Sequence, residues 1–414
     1  MVYHRSTRRL YMNARTRSLL FTSLAHFLND SFLVTMSILI TYYIDMHVSS
    51  AFLGGMAALV NLLSGLVSPL ISNRADRTGG HVRLMTIGFM LIGASMASFT
   101  GTFIYGGITR LALIGLGSTL LGLGLSFYHP LGGSILQYSY GSQAGKALGI
   151  NGSAGSVGRA VFPAIMTIAI AYLGGSEALA IIAAYVFVLA TIIDLGLRHV
   201  RMPATRESAA RSFSRLSRYS YLLVPLTTIV FIRAIFMTGV MTYVPTYVEH
   251  LVGSRVLMGV IVTTSYATAI VGQPLFGWMV SRYGGRNVVI LTTLASTVLY
   301  IVFLLVRSPI LITTLLGLYS FFAMSGFPVL LGYVSEVVDS SVRAQANSIV
   351  WGIGNTVGGS IGALLGGFIL QGSGLLGMTP LEATMWTFAA FAVISSIMLV
   401  MLPRGPKAQL ARQP

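Results

Sequence analysis

"PLISNRADRTGGHV" occupies residues 69–82, and "PLFGWMVSRYGGRN" occupies residues 274–287. Pro-Leu, an arginine and Gly-Gly recur between them at a constant offset of 205 in a chain of 414 residues. Each phrase closes one apolar stretch and precedes another. Only 9% of the residues are charged, yet one polar phrase is written twice, about half a chain apart. The fold follows from that duplication.

Hydrophobic residues make up 55% of the chain and the mean hydropathy is +0.81, whereas a soluble domain carries about 25% charged residues. A bilayer core of about 30 Å needs roughly 20 apolar residues per spanning helix. Segments of that order lie at 19–43, 51–71, 84–105, 111–128, 147–173 and 179–197. Six more lie at 221–248, 256–280, 288–306, 310–334, 349–370 and 383–402. The expected fold is an all-α integral membrane protein whose twelve transmembrane helices form two six-helix pseudo-repeats. The longest polar segment, 198–220, holds six arginines and falls between the sixth and seventh spans. It divides the chain into a cytoplasmic tail (1–18), a first half (19–198), a cytoplasmic linker (199–220), a second half (221–402) and a second cytoplasmic tail (403–414).

Other repeats agree. "AGKALGINGSAGSVG" (144–158) matches "AQANSIVWGIGNTVG" (344–358) at Ala, Gly, Val and Gly with offset 200. Phe27, Phe32 and Tyr43 match Phe231, Phe236 and Tyr247 with offset 204. Parallel repeats of this kind place a substrate site at their interface, near mid-membrane.

The net charge of +16 could suggest nucleic acid, but its placement argues for a membrane. With both termini inside, the outer loops hold only Arg110, Arg255 and Arg307, while the inner segments hold nearly all the other basic residues. That asymmetry is the positive-inside rule, so the charge reports topology and contact with anionic lipid. The expected location is the plasma membrane, with both termini cytoplasmic. The first 17 residues, Arg-rich and free of acids, imitate a transit peptide but read more simply as a cytoplasmic tail under the same rule. The absence of cysteine removes disulfides and thiolate chemistry. The seven histidines show no metal-ligand spacing, so neither metal nor cofactor is expected. "GLGSTLLGLG" imitates a dinucleotide-binding pattern, but it lies inside an apolar span, where glycines serve helix packing.

The duplicated phrase resembles the loop signature of major facilitator superfamily transporters, found between spans two and three and again between eight and nine. That signature reads Gly, three residues, Asp-Arg, one residue, Gly-Arg, then a base. The first copy keeps Asp76, Arg77 and Gly79, with Ser72 and Gly80 at the remaining Gly and Arg positions. The second keeps Gly277, Arg282, Gly284 and Arg286, with Ser281 at the Asp position. A solvated loop explains either copy alone; the pair suits a gate whose charges bond helix ends and each other across a closing seam. A narrower resemblance lies in "AHFLND" (25–30) and "GLGLSFYHP" (122–130), which look like the first and fourth spans of fosmidomycin-resistance-type exporters. Gly145, Gly155, Gly158 and Pro163 follow at that family's spacing. Departures are Leu131, where those exporters carry Glu, and Ser118, where many facilitators place Arg.

Polar residues inside spans are the candidate site. On the first span Thr22, His26, Asn29, Asp30, Ser37 and Thr41 share one helical face, with His26 and Asp30 one turn apart. A mid-membrane charge costs at least ~2.5–3.5 kcal/mol and is usually turned inward and paired. The pair is read either as a substrate- or proton-linked site or as a structural bond locking two helices. Arg159 lies mid-span among small residues, His129 lies at a depth comparable with His26, and Arg233 aligns with Asn29 in the repeat. Arg233 would then face the cavity, although the threonine stripe of its own span lies on a different face. Asp194 and Arg198 read as a structural pair.

The expected function is secondary active transport by alternating access, moving a drug-like or organic-anion substrate outward in exchange for protons. The alternative is proton-coupled or facilitated uptake of a sugar or carboxylate, and the distant alternative is a non-transporting receptor or scaffold. No Walker motif is present, and ten acids, mostly in loops, give no cluster for a membrane enzyme. The expected partners are a small-molecule substrate, protons and the bilayer, with no nucleic acid, and the chain is expected to act as a monomer.

Overall fold

The computed structural model describes residues 13–204, 217–339 and 342–402. The outer part of the first predicted tail, all of the second and most of the predicted linker, with Arg206, Arg211 and Arg215, lie outside the described residues. Everything described is helical apart from short connections and one isolated bridge between Leu375 and Met378.

The first half contains α1 (Ala14–Ser31), α2 (Thr35–Asp45), α3 (Ser50–Leu66) and α4 (Ser68–Thr78). It continues with α5 (His81–Thr102), α6 (Gly107–Tyr140), α7 (Ala144–Leu173) and α8 (Gly175–Leu197). In the second half come α9 (Ser220–Val252), α10 (Arg255–Tyr283), α11 (Gly285–Leu304), α12 (Pro309–Ala323) and α13 (Gly326–Val337). Then follow α14 (Arg343–Ile349), a π-helical segment (Val350–Val357), α15 (Gly358–Gln371) and α16 (Pro380–Ile397). Among the described residues ten stretches qualify by length and apolarity as membrane spans, rather than twelve. The difference has local causes. One stretch, Gly107–Leu173, contains both α6 and α7, and the helix Pro309–Ala323 is too short because the chain turns before α13 begins.

Helix ends follow from local chemistry. Ser49 and Ser254 accept the first free amides of α3 and α10, at Phe52 and Leu257. Thr379 and Glu382 form a reciprocal capping box, with Pro380 at the first helical position of α16. The loop phrases end on glycines at positive φ, Gly79 at 67° and Gly284 at 82°, where a side chain would be strained.

The two halves meet along two seams, α3 against α15 and α7 against α10. At the first seam Gly54 and Gly367 let backbones touch: a Cβ on Gly54 would lie 2.8 Å from the Gly367 Cα. Asn61 donates to the Thr356 carbonyl at 2.9 Å and to Ser360 Oγ at 3.0 Å. Ser49 Oγ and the Ser50 amide donate to Gln371 Oε1 at 3.0 and 2.8 Å. At the second seam the Ala164 amide donates to Thr263 Oγ1 at 2.9 Å. Beyond both, Arg255 pairs with Asp45 and lies 4.5 Å from the centre of the Tyr42 ring. These bonds between the halves lie in the part of the molecule away from the face carrying the arginine-rich loops. Toward that face Gly149 and Gly152 on α7 and Gly352 on the π-helical segment look into open space, with no atom within 4 Å of where a Cβ would stand. Among the described residues the hydrogen bonds and ion pairs between the halves gather toward the Arg255 end, the closed end, and away from the arginine-rich loops, the parted end.

Candidate functional site

The first span does not run as one helix. After α1 the backbone tightens into a 3₁₀ turn, Phe32–Val34, and the Phe32 amide reaches the carbonyls of both Asn29 and Asp30. Asp30 therefore sits on the last turn before the irregularity, buried at 1% exposure. At 1.5 Å per residue it lies about 22 Å along the span from Asp45.

Four side chains converge on its carboxylate. Arg159 of α7 donates from Nη2 to Oδ2 at 2.5 Å. Asn29 donates to Oδ1 at 3.1 Å. His26, one turn earlier, places Nε2 at 3.6 Å from Oδ1, and His129 of α6 places its Nε2 at 3.5 Å from the same oxygen. The His26 and His129 rings meet edge to face at 5.3 Å, and His26 lies 4.7 Å from the Tyr128 ring. Behind them Asn151 Oδ1 lies 2.9 Å from both His26 Nδ1 and the Tyr128 hydroxyl, which also reaches the Thr22 carbonyl at 3.0 Å. Gly155 leaves the room that the His26 ring fills; a Cβ there would collide with it. The small residues of α7 thus let α1 approach closely enough for Arg159 to reach Asp30.

Of the residues singled out in the sequence, the fold gathers His26, Asn29, Asp30, His129 and Arg159 into this one cluster. Arg233 lies apart. It is 7% exposed and sits inside the second half against Val289 and Thr292 of α11 and Gly326, Val329 and Leu330 of α13. The adjoining space is about 10 Å³, enough for one water. Its Nε and Nη2 find no hydrogen-bond partner among the described residues. This differs from a guanidinium facing an open cavity, because α12 stops at Ala323 and Gly326 brings the next helix against it. Arg159 Nε and the buried hydroxyls of Tyr266 and Tyr319 also lack partners among the described residues. Tyr266 lies close enough to feel the charge of Arg159, and Tyr319 that of Arg233.

The loop motif divides differently in its two copies. Asp76 pairs at 3.2 Å with His81 at the start of α5, with Arg77 exposed beside it and Gly79 closing α4. In the second copy Gly277 lies in α10, Arg282 is exposed near its end, and Gly284 ends it. Arg286 donates to the Leu402 carbonyl at 3.2 Å, and Glu336 of α13 accepts from the Gly285 amide at 2.8 Å. Among the described residues no ion pair joins one copy to the other. Asp194 and Arg198 pair at 3.1 Å on one helix face.

Tyr128, Asn151 and the Asp45–Arg255 clasp are absent from the sequence-based candidates. Tyr128 is adjacent to His129, and Asn151 is the one amide in the small-residue run of α7; those were the available signals. Likewise, the histidines carry no metal spacing along the chain, yet His26, Asp30 and His129 present ligand atoms all within 4.8 Å of one another.

A bundle of long apolar helices in two repeated halves, with a buried charge near the seam between them, is the architecture of an alternating-access carrier. The family model described as Major Facilitator Superfamily matches residues 19–253 and 226–414, and the chain belongs to that superfamily. A curated relative, an "MFS-type transporter" of Gibberella moniliformis (strain M3125 / FGSC 7600), is 23% identical over 249 residues. That match takes in 57% of this chain and 60% of the relative's length. Among solved structures, a mutant of the nucleoside transporter NupG aligns with a TM-score of 0.75 at 15% identity, covering 95% of this chain and all of its own. The peptide transporter POT in complex with alafosfalin aligns at 0.73 and 16%, covering 93% of each chain. A bacterial homologue of the human lysosomal transporter Spinster, inward-facing and unoccupied, aligns at 0.69 and 15%, covering 95% of this chain and 96% of its own. These likenesses are of fold. The protein is a multi-pass membrane protein with the fold and family of secondary transporters.

Proposed function

We propose that this transporter carries a small organic anion coupled to protons, with Asp30 as the proton-accepting group and Arg159 as the group the anion takes. The observation that carries the proposal is the shared carboxylate: one buried Asp30 held by Arg159 on Oδ2 and approached by two imidazoles on Oδ1. A carboxylate and a substrate anion compete for the same guanidinium. Protonating Asp30, directly or through His129 at the opening, weakens its hold on Arg159 and frees that charge for the anion. Release of the anion lets Arg159 return and expels the proton. Proton and anion are then loaded and unloaded together, which is cotransport, the alternative of the two directions considered from sequence. The unpartnered Arg159 Nε and Tyr266 hydroxyl are donors, as an acceptor-rich ligand requires. The gating copies around Asp76–Gly79 and Gly277–Arg286 would meet when the parted end closes. The plasma membrane, cytoplasmic loops rich in arginine and a functional monomer belong to the same proposal.

Proton-driven efflux is the second reading, favoured by the resemblance of "AHFLND" and "GLGLSFYHP" to exporters. Proteoliposomes separate the two. Small carboxylates, phosphonates and amphiphilic drugs are offered under an imposed pH gradient, with protein-free vesicles as control. Cotransport predicts accumulation of an anion when the outside is acidic. Accumulation of a drug only when the lumen is acidic would replace it with efflux by exchange.

A further inference from the structure

We infer that His26, Asp30 and His129 form a binding site for a late first-row divalent metal ion of the zinc, cobalt or nickel class. The inference does not depend on protons being the coupling ion, because it rests on the separations and orientations of three ligand atoms.

The two imidazole Nε2 atoms stand 3.6 and 3.5 Å from the same carboxylate oxygen, Asp30 Oδ1. These separations exceed a normal N–H···O hydrogen bond of about 2.7–3.2 Å. They match the spacing of two ligands on one tetrahedral ion: bonds of about 2.0–2.2 Å at tetrahedral angles put ligand atoms about 3.3–3.6 Å apart. All three ligand atoms lie within 4.8 Å of one another. Imidazole nitrogen with carboxylate oxygen is the donor set that late first-row divalent ions favour over magnesium or calcium.

Orientation strengthens the point. Where Asn151 Oδ1 accepts from His26 Nδ1, at 2.9 Å, the proton of a neutral His26 is committed to Nδ1. Nε2 then presents a lone pair toward a carboxylate oxygen, an arrangement relieved by a cation between them, a proton or a metal ion. A ring nitrogen anchored to an oxygen acceptor while its partner faces the metal is the usual outer-shell arrangement of ligating histidines. Asn151 is in turn held by Tyr128, and Asp30 keeps Oδ2 for Arg159, so the second carboxylate oxygen orients the first. The ring of His26 is fixed by the room Gly155 leaves, and His26 and Asp30 are held one turn apart on α1. His129 is the exposed member, its side chain 53% accessible, so an ion has a path to the site and an open position for water or an anion. An anion in that position would also offset the nearby positive charge of Arg159.

The test uses purified full-length protein in nanodiscs, titrated with Co²⁺ alone and read by the visible ligand-field absorption of the bound ion. One saturable equivalent is expected, displaced by Zn²⁺. His129→Gln, a change at an exposed ring, should abolish it, as should Asp30→Asn, while His81→Gln at the distant start of α5 should leave it unchanged. Asn151→Ala, which removes the outer-shell anchor of His26, should weaken binding roughly 10- to 100-fold. No saturable absorption in the wild type, or absorption that survives both His129→Gln and Asp30→Asn, overturns the inference. Failure here leaves proton-coupled transport intact if the vesicles still accumulate anion. Cobalt binding without gradient-driven transport separates the two in the other direction.

Discussion

The two halves of the molecule repeat one contact and then diverge. In the first, Gly158 of α7 lies against the carbonyl of Phe27 on α1; in the second, Gly358 lies against the carbonyl of Phe231 on α9. These are the residues the offsets of 200 and 204 match. Around that shared crossing, the first half carries a matched pair of charges, buried Asp30 on α1 and partly buried Arg159 on α7, while α6 and α7 run unbroken. The second half carries the buried Arg233, with no acid beside it among the described residues. Its corresponding helices are irregular: α12 and α13 are interrupted, and a π-helical segment precedes α15. Charge that is paired binds its helices together, whereas irregular backbone lets helices shift relative to one another. The first half thus holds a paired charge beside the 3₁₀ turn of its first span, and the second half holds an unpaired one beside its own breaks.

The contrast predicts opposite outcomes for superficially equivalent changes. The largest effect is expected from Arg159→Leu, which leaves Asp30 buried without its partner. Removing one member of a buried pair costs about 3–5 kcal/mol, so the melting temperature in nanodiscs should fall sharply. An unchanged melting temperature would show that Asp30 is compensated by His26 and His129 alone.

A smaller effect is expected at the closed end. Arg255 joins α10 to α2 through Asp45 and stacks on Tyr42. Partly exposed pairs and cation–π contacts are each worth up to about 1 kcal/mol, so Arg255→Gln should shift the open–closed population about fivefold. Distance distributions between spin labels across that end read the shift, which should shrink in high salt as the wild-type pair is screened. No change at low salt would remove the clasp from the account.

Smaller again is Asp76→Asn. Among the described residues Asp76 bonds only His81 at the start of α5, so its contribution to the other state is what the change removes. Exchange between states should slow, by no more than about fivefold for a contact worth up to about 1 kcal/mol, at equal protein level. Single-molecule fluorescence across the parted end measures it; wild-type rates would contradict the gating assignment.

The smallest effect is expected at Arg233. An unpaired buried charge contributes nothing to hold its helices, so Arg233→Leu should leave the melting temperature unchanged or raise it. A loss as large as that of Arg159→Leu would dissolve the contrast between the halves.

Much of the fold was legible in the sequence because a bilayer imposes length and apolarity on every span. The duplicated loop phrase located the repeat, and its glycines Gly79 and Gly284 end helices at positive φ. What was not legible were the breaks. The Gly-rich run 352–359 reads as a packing face, and nothing in its composition distinguishes a π-helical from an α-helical path. Nor does the sequence give the turn at 324–325, which shortens α12 and places Gly326 against Arg233. At the site, Asp30 and Arg159 were visible as mid-span charges, but their union depends on how closely α1 and α7 approach, which is a three-dimensional quantity. Tyr128 and Asn151 are ordinary residues of apolar spans until His26 lies between them.

The most direct test of Asp30 as the coupling group is Asp30→Asn, compared with wild type in proteoliposomes by two readouts on one preparation. Asparagine imitates the protonated acid and leaves Arg159 permanently available to the anion. Accumulation driven by an imposed pH gradient should be lost, while exchange of labelled for unlabelled substrate at equal pH should continue. If the variant still concentrates substrate at the expense of the pH gradient, Asp30 is not the coupling group and its bond to Arg159 is structural.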